Sequence, residues 1–174
     1  MKNFQVTAVE DNKKYWISRH MATRSEVLVH YGDDVFILIG KRGSGTPDYQ
    51  GCWNIPCGYL EFDVTSKENA TKELLEETGV FLPSFMWTLK HIEDDPKRSN
   101  LQNVTIVYQA HITMDMYEKA KVVGHLTMTD GGEENEVETV ELCKLTIDNI
   151  NNREWAFNHK ERMIEILNEN RKNE

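Results

Sequence analysis

Glu73, Glu76 and Glu77 place three carboxylates within five residues of this 174-residue chain. The stretch around them reads as one amphipathic helix. Thr65 is placed as its N-cap, Glu68 completes a capping box, and Gly79 is a natural stop. At about 100° per residue, the three glutamates fall within an arc of roughly 100° near the helix C-terminal end. Ala70 and Leu74 sit beside that arc, so the acidic patch borders the face that must be buried. As a bare helix this is poorly arranged. Like charges at i,i+3 and i,i+4 repel by roughly a few tenths of a kcal/mol per pair, and acids near the C-terminus oppose the macrodipole. A bound divalent cation removes both penalties, and Mg²⁺ takes carboxylates together with substrate phosphates. The plainer reading of the same residues is a solvated acidic face.

The context favours the metal. Trp53-Asn54-Ile55-Pro56-Cys57-Gly58 precedes the helix, which carries Lys72-Glu73-Leu74-Leu75-Glu76-Glu77-Thr78-Gly79-Val80. Together these resemble the signature of the Nudix hydrolases, with Gly58, Glu73, Leu74, Glu76, Glu77, Gly79 and Val80 in register. Two positions depart from it: Val64 stands where the family has a glutamate, and Lys72 where it has arginine. Lysine lacks arginine's planar fork, so the pair reads as the coordinated loss of one supporting contact. Asp63 or Glu61 is placed to give Lys72 a substitute partner.

Other elements must hold this helix in place. Phe4–Ala8 and Tyr15–Ile17 flank a turn at Asp11-Asn12 and read as an N-terminal hairpin, a segment of residues 1–22 placed to pack on the sheet or to mediate dimerisation. Arg19, His20 and Arg24 follow; basic residues flanking a strand are ordinarily solvated, though a phosphate contact is the alternative. Glu26–His30 and Val35–Ile39 form a second hairpin, and the near-continuous apolar run of the latter marks a covered, central strand. Lys41–Asp48 lacks the lysine and hydroxyl pair of a phosphate loop and reads as an irregular loop shaping a pocket, with Arg42 a candidate phosphate contact. Trp87, Leu89 and His91 suggest one face of a strand, and Val104–Ala110 alternates as another. Met114–Lys121 forms a short helix or an irregular crossing. Asp130–Val137 is an acidic glycine-containing loop leading into a strand to about Leu142. A last helix runs to about Asn170, with Asn158 and Glu161 to cap its start.

Composition excludes several classes. The formal charge of −9 argues against a nucleic-acid polymer as partner, but a small phosphorylated substrate remains compatible when metal ions intervene. Neither a membrane-length apolar run nor a signal-peptide pattern is present, so a cytoplasmic location is expected. Three cysteines, Cys52, Cys57 and Cys143, do not make a disulfide framework, and Cys52 with Cys57 is too sparse for a structural zinc site.

The resemblance implies a single domain over residues 1–174 with an α/β (α+β) fold: an α/β/α sandwich in which a mixed sheet lies between the motif helix and the C-terminal helix. It also implies hydrolysis of the pyrophosphate bond of a nucleoside diphosphate linked to another group. Glu73, Glu76 and Glu77 would then hold Mg²⁺, with Mn²⁺ as an alternative, against the small-molecule substrate. Glu133 and Glu136 occupy the region from which many members supply a further carboxylate. Gly58 would allow close backbone approach or an unusual dihedral angle at the loop entrance, and Tyr49 or Phe62 would contact the base. A regulator that binds nucleotide without turnover is the second reading, supported by Val64 and Lys72; an interaction module is the third. If the acidic arc binds metal, Mg²⁺ or Mn²⁺ raises the melting temperature, and Glu76→Gln and Glu77→Gln each blunt the rise. Identical metal titrations in wild type and both variants would remove these residues from the site.

Overall fold

In a computed structural model, which describes residues 4–10, 12–99, 102–122 and 135–172, the chain opens with β1 (Phe4–Thr7) and β2 (Lys14–Ile17), an antiparallel hairpin forming a sheet of its own. Its turn includes Asn12 in the left-handed region at φ 54°, a conformation asparagine tolerates. Then comes β3 (His20–Tyr31), twelve residues long, with Ala22 to Val29 buried without interruption. It pairs in parallel along His20–His30 with β8 (Asn103–Thr113), which also pairs antiparallel with β7 (Thr88–Glu93).

The opposite edge of β3 is divided. Leu28–Tyr31 pairs with the start of β4 (Asp34–Arg42), whereas Ala22–Arg24 pairs with β6 (Cys57–Tyr59). Further along, β4 pairs with β5 (Trp53–Asn54) on that side and with β9 (Val137–Lys144) on the other. Strands β3 and β4 therefore part like the arms of a fork, and residues 53–59 fill the gap. The apolar run of β4 is well covered, as its sequence implies: Ile37, Leu38 and Ile39 have no exposed surface.

Period-two alternation sorts the core into two layers. Val27, Val29, Leu38, Tyr108 and Ala110 pack with Ala70 and Leu74 of α1 (Ser66–Thr78) and with Tyr117 of α3 (Met114–Ala120). Leu28, Ile37, Ile39 and Cys143 pack instead with Ile150 of α4 (Ile147–Asn151) and with Met163 and Ile166 of α5 (His159–Arg171). A four-residue α2 (Pro96–Ser99) lies between β7 and β8. The result is the mixed-sheet α/β/α sandwich. Both ends of α1 follow the sequence reading: Thr65 and Glu68 form the reciprocal capping box, and Gly79 closes the helix at φ 69°.

The first half of β3 is polar on both faces, which hides its strand character from any alternation test. Thr23 Oγ1 accepts from Asn69 Nδ2 at 2.9 Å and Ser25 Oγ donates to the Ala70 carbonyl at 2.9 Å, so this face is stitched to α1. On the other face, Arg162 of α5 grips Glu26 through Nε at 2.7 Å and Nη2 at 2.8 Å. Gln109 Nε2 donates to the same carboxylate at 3.1 Å, and Glu26 is wholly buried. Arg24 is 2% exposed, with Nη2 3.0 Å from Glu93 and Nε 3.6 Å from Glu26. The expectation that Arg24 is solvated is therefore corrected.

Three other expectations change. Asn158 does not cap α5 with its side chain; its amide donates to the Glu93 carboxylate instead. Trp87 is buried ahead of β7, where its indole N–H reaches Thr71 at 2.9 Å, while Leu89 is exposed and a register shift separates it from His91. Those residues therefore do not share a strand face. Helix α4, capped by Thr146, was not foreseen because five residues are too few to show a period.

Removing Arg162 strands a buried carboxylate. Arg162→Met is expected to lower the unfolding free energy by about 3–5 kcal/mol in urea melts, and Glu26→Gln in the same chain to recover much of the loss. A single variant as stable as wild type would show that this ion pair does not hold α5 to the sheet.

Candidate active site

A pocket of about 350 Å³ opens where β3 and β4 separate. Its walls come from every element meeting there: Arg24 of β3, Arg42 at the end of β4, Asn54 and Gly58 of the inserted segment, Glu73 and Glu77 of α1, and Glu136 just before β9. The loop Gly43–Asp48 closes one side. Gly43 N–H donates to the Glu136 carbonyl at 2.7 Å and Gly45 N–H to the Asn135 carbonyl at 3.1 Å, so the irregular loop clasps the segment that carries Glu136. A Cβ on Gly43 would lie 2.0 Å from that Asn135 oxygen, which explains glycine there.

Gly58 has a related role. A Cβ at this position would fall 2.1 Å from Glu73 Oε2, so the absent side chain is what lets the carboxylate lie against the backbone. Close approach is the reason for this glycine; its φ is not in the left-handed region. Beside it, Cys57 N–H donates to Glu77 Oε2 at 3.3 Å. Burial raises the Glu73 pKa to about 7; Lys72 opposes that rise, while Glu76, Glu61 and Glu136 add to it. Glu77 is raised well above the usual carboxylate range, first by burial and next by the Glu73 charge. Burial likewise pushes the Cys57 thiol up to about 12, which makes it a packing residue.

Glu76 is placed differently. It faces Lys72, whose ammonium lies 2.7 Å away and also reaches Glu61 at 3.1 Å. Glu61 is thus the substitute partner that Lys72 finds, and Val64 is 37% exposed with no carboxylate to offer. The structure brings Glu73, Glu77 and Glu136 to one pocket and leaves Glu76 off its walls, in contact with Lys72. Glu133 lies outside the described residues.

Among the described residues, no three His, Cys, Asp or Glu side chains are grouped as a ready metal cage. Mg²⁺ does not need one, because it is commonly bound through one or two carboxylates, water and substrate phosphate. Glu73, seated in the Gly58 cradle, and Glu77 present a hard oxygen donor set of that kind. The residues present fit such a cation.

The rest of the pocket was largely invisible to sequence reasoning. Arg42 donates to Asp48 at 2.7 Å and its guanidinium lies 5.1 Å from the centre of the Phe157 ring. Tyr49 packs against that ring, with centroids 4.8 Å apart, and neither Tyr49 nor the 96% exposed Phe62 is on the pocket wall. The aromatic side chains on the wall are instead Phe157, a residue without any flanking motif, and Tyr59 of β6. His159 Nδ1 accepts from the Ile55 N–H at 3.0 Å, so the neutral ring carries its proton on Nε2. Burial, with Arg24 and Arg42 nearby, holds its pKa well below the usual range. The one sequence hint for Arg24 was its spacing from Glu26, two opposite charges on one strand face.

Residues 22–164 match the family model described as the NUDIX domain, and the chain belongs to the Nudix family. None of the curated proteins matches it. Among solved structures it is similar to a MutT/nudix family protein from Enterococcus faecalis, at 16% identity over 86% of this chain and 61% of that one, with a TM-score of 0.64. It is also similar to the NUDIX domain of Shewanella oneidensis NrtR complexed with ADP ribose, at 15% identity over 90% of this chain and 89% of that one, with a TM-score of 0.64. A third is the bifunctional NMN adenylyltransferase/ADP ribose pyrophosphatase from Francisella tularensis, complexed with AMP and Mn ion, at 19% identity over 87% of this chain and 42% of that one, with a TM-score of 0.65. The chain thus spans about three fifths of the first protein's length and two fifths of the third's.

The Gly58 cradle gives a local test. Gly58→Ala forces the Glu73 carboxylate from its seat, so the rise in melting temperature with Mn²⁺ is expected to shrink. Melting without metal should change much less, because the carboxylate can swing into the pocket. An unaltered metal response would dissociate Glu73 from cation binding.

Proposed function

We propose that this protein hydrolyses the pyrophosphate bond of a nucleoside diphosphate linked to another group, using Mg²⁺ or Mn²⁺ and an activated water. The observation that carries this reading is the convergence in one pocket of Glu73, Glu77 and Glu136 with Arg42 and the Phe157 ring. Glu73 and Glu77 would hold the metal, which when bound neutralises phosphate charge and acidifies water. Net repulsion between an acidic pocket and a diphosphate otherwise forbids binding. Arg42, anchored by Asp48, donates to phosphate oxygens, and Phe157 supplies a flat apolar face for the base. Glu136, which lines the same pocket, would accept the proton of the attacking water. The two ADP-ribose-related neighbours, one complexed with ADP ribose and one with AMP and Mn ion, support a nucleotide-type substrate.

A second reading, nucleotide binding without turnover, is favoured by one contact: Lys72 holds Glu76 at 2.7 Å, and Glu76 is not on the pocket wall that Glu73 and Glu77 line. Incubating the protein with nucleoside diphosphate sugars, dinucleotides and nucleoside triphosphates plus Mg²⁺ separates the two. Hydrolysis yields a nucleoside monophosphate and a phosphorylated second product by mass, and Glu136→Gln should lower kcat more than it raises KM. Val64→Glu with Lys72→Arg should raise the rate by releasing Glu76, and the exposed Val64 accepts a glutamate without burying charge. No product from wild type or double variant, with nucleotide still bound, would select the second reading.

A further inference from the structure

One end of the pocket takes no part in the chemistry proposed above. Ala22 of β3 stands opposite Tyr59 of β6 on one side and Thr105 of β8 on the other, and Thr105 in turn opposes Glu93 of β7. Residues directly opposite on paired strands share a face, so these four side chains form one row across the sheet. All four line the pocket. His20 and Asn103 form the next row. Helix α5 covers the same face further along, where Arg162 reaches Glu26 and Ile166 packs with Leu28, and leaves the Ala22 row to the cavity.

Ala22, the smallest member of the row, is its floor. Tyr59 stands on one side, 59% exposed and so within reach of a ligand, with the His20 ring braced against it at 5.3 Å. Thr105 and Asn103, both half-buried, stand on the other side and offer a hydroxyl and a carboxamide, groups that each donate and accept. Charge and size decide what fits between. Arg24 and Arg42 are the only arginine or lysine side chains among the described residues of the lining, and each already faces a carboxylate, Glu93 at 3.0 Å and Asp48 at 2.7 Å. The Ala22 end therefore has no spare cation there for a further phosphate. At about 350 Å³ the cavity lies near the lower end of ligand pockets, roughly 300–1,000 Å³, and is small for two nucleosides. An uncharged ring with an apolar face and a rim of hydroxyls meets both limits.

We propose that Tyr59, Thr105 and Asn103 form a subsite that holds a monosaccharide on the Ala22 floor, the apolar C–H face of the sugar against the Tyr59 ring and its hydroxyls on Thr105 and Asn103. Gly58, the residue before Tyr59, seats the Glu73 carboxylate, which sets this subsite beside the group proposed to hold the cation. The nucleoside half then lies toward Phe157 and Arg42. The inference rests on the hydrolase reading above and names the group linked to the nucleoside diphosphate.

Turnover with Mg²⁺ of ADP-ribose, ADP-glucose, GDP-mannose and UDP-glucose, set against diadenosine diphosphate, ATP, GTP and UTP, tests it. At least one diphosphate sugar is expected to show a kcat/KM about tenfold or more above every dinucleotide and triphosphate. Tyr59→Ala should raise KM for that sugar about tenfold with little change in kcat, and Tyr59→Phe, which keeps the ring, should recover most of the loss. Thr105→Val and Asn103→Ala should each raise KM by about threefold or more. A wild-type preference for the dinucleotide or a triphosphate overturns the subsite and leaves the hydrolase reading standing. A sugar preference retained in folded Tyr59→Ala, Thr105→Val and Asn103→Ala overturns the assignment to these residues. If nothing is hydrolysed, the hydrolase reading fails and calorimetry decides the subsite: a diphosphate sugar must bind more tightly than ADP, GDP or UDP alone, and equal or absent binding overturns it. Where Tyr59→Ala fails to fold, as judged by circular dichroism, Thr105→Val, which keeps the side-chain shape, decides.

Discussion

The buried bidentate pair between Glu26 and Arg162 is the constraint on which the architecture turns. It ties the central strand to the last helix across the sheet, and it does so with charges that cannot be left alone in a low-dielectric interior. Its reach is longer than one contact. Gln109 brings β8 to the same carboxylate, Glu165 and Glu169 share the outer face of Arg162, and Lys90 on β7 pairs with Glu169. Through Arg24 the array continues to Glu93 and thence to Asn158. One connected set of charges thus fixes the relative positions of β3, β7, β8 and α5, and its inner end is a pocket wall. Apolar packing alone would hold these layers together without specifying where the polar end of the cavity lies.

The second constraint is topological. Because β3 remains paired with β8 along its length, β4 and β6 must share its other edge, and the space between the diverging strands is filled by residues 53–59. That placement presents Gly58 to the helix that follows it. The absent Cβ admits the Glu73 carboxylate to the backbone, and the adjacent Cys57 N–H receives Glu77. Acidic side chains on α1 are thereby drawn inward, against their own repulsion, at a place where water is scarce. Burial then raises the proton affinity of both. Such an arrangement is unfavourable for stability and suited to meeting a cation, a pattern expected where function overrides local preference.

Lys72 shows how a departure from the family pattern is absorbed. A single ammonium has no fork to define one partner, and it settles between Glu61 and Glu76, both largely solvated. The compensation is electrostatically sound and worth little as a surface pair. Its consequence lies in geometry, since it gives Glu76 an orientation different from that of its neighbours one turn and one residue away.

The sequence by itself determined the local features whose causes are local. The capping box of Thr65 and Glu68 and the Gly79 stop depend on residues within a few positions of one another, and the structure keeps them. The hairpins, the buried run of β4 and the Nudix signature were legible for the same reason: periodicity and spacing are properties of the chain. The mixed sandwich followed from the family resemblance. Tertiary structure alone decided the rest. Arg24 looked like a solvated base because nothing nearby in sequence revealed Glu93, sixty-nine positions on, or the helix that covers it. Asn158 looked like a cap because its competing partner on β7 was equally remote. Phe157 and Tyr59, rather than Tyr49 or Phe62, line the pocket, and only the fold brings Phe157, just ahead of α5, to Arg42. Burial is a collective property, and a charged side chain changes meaning when distant segments remove its water.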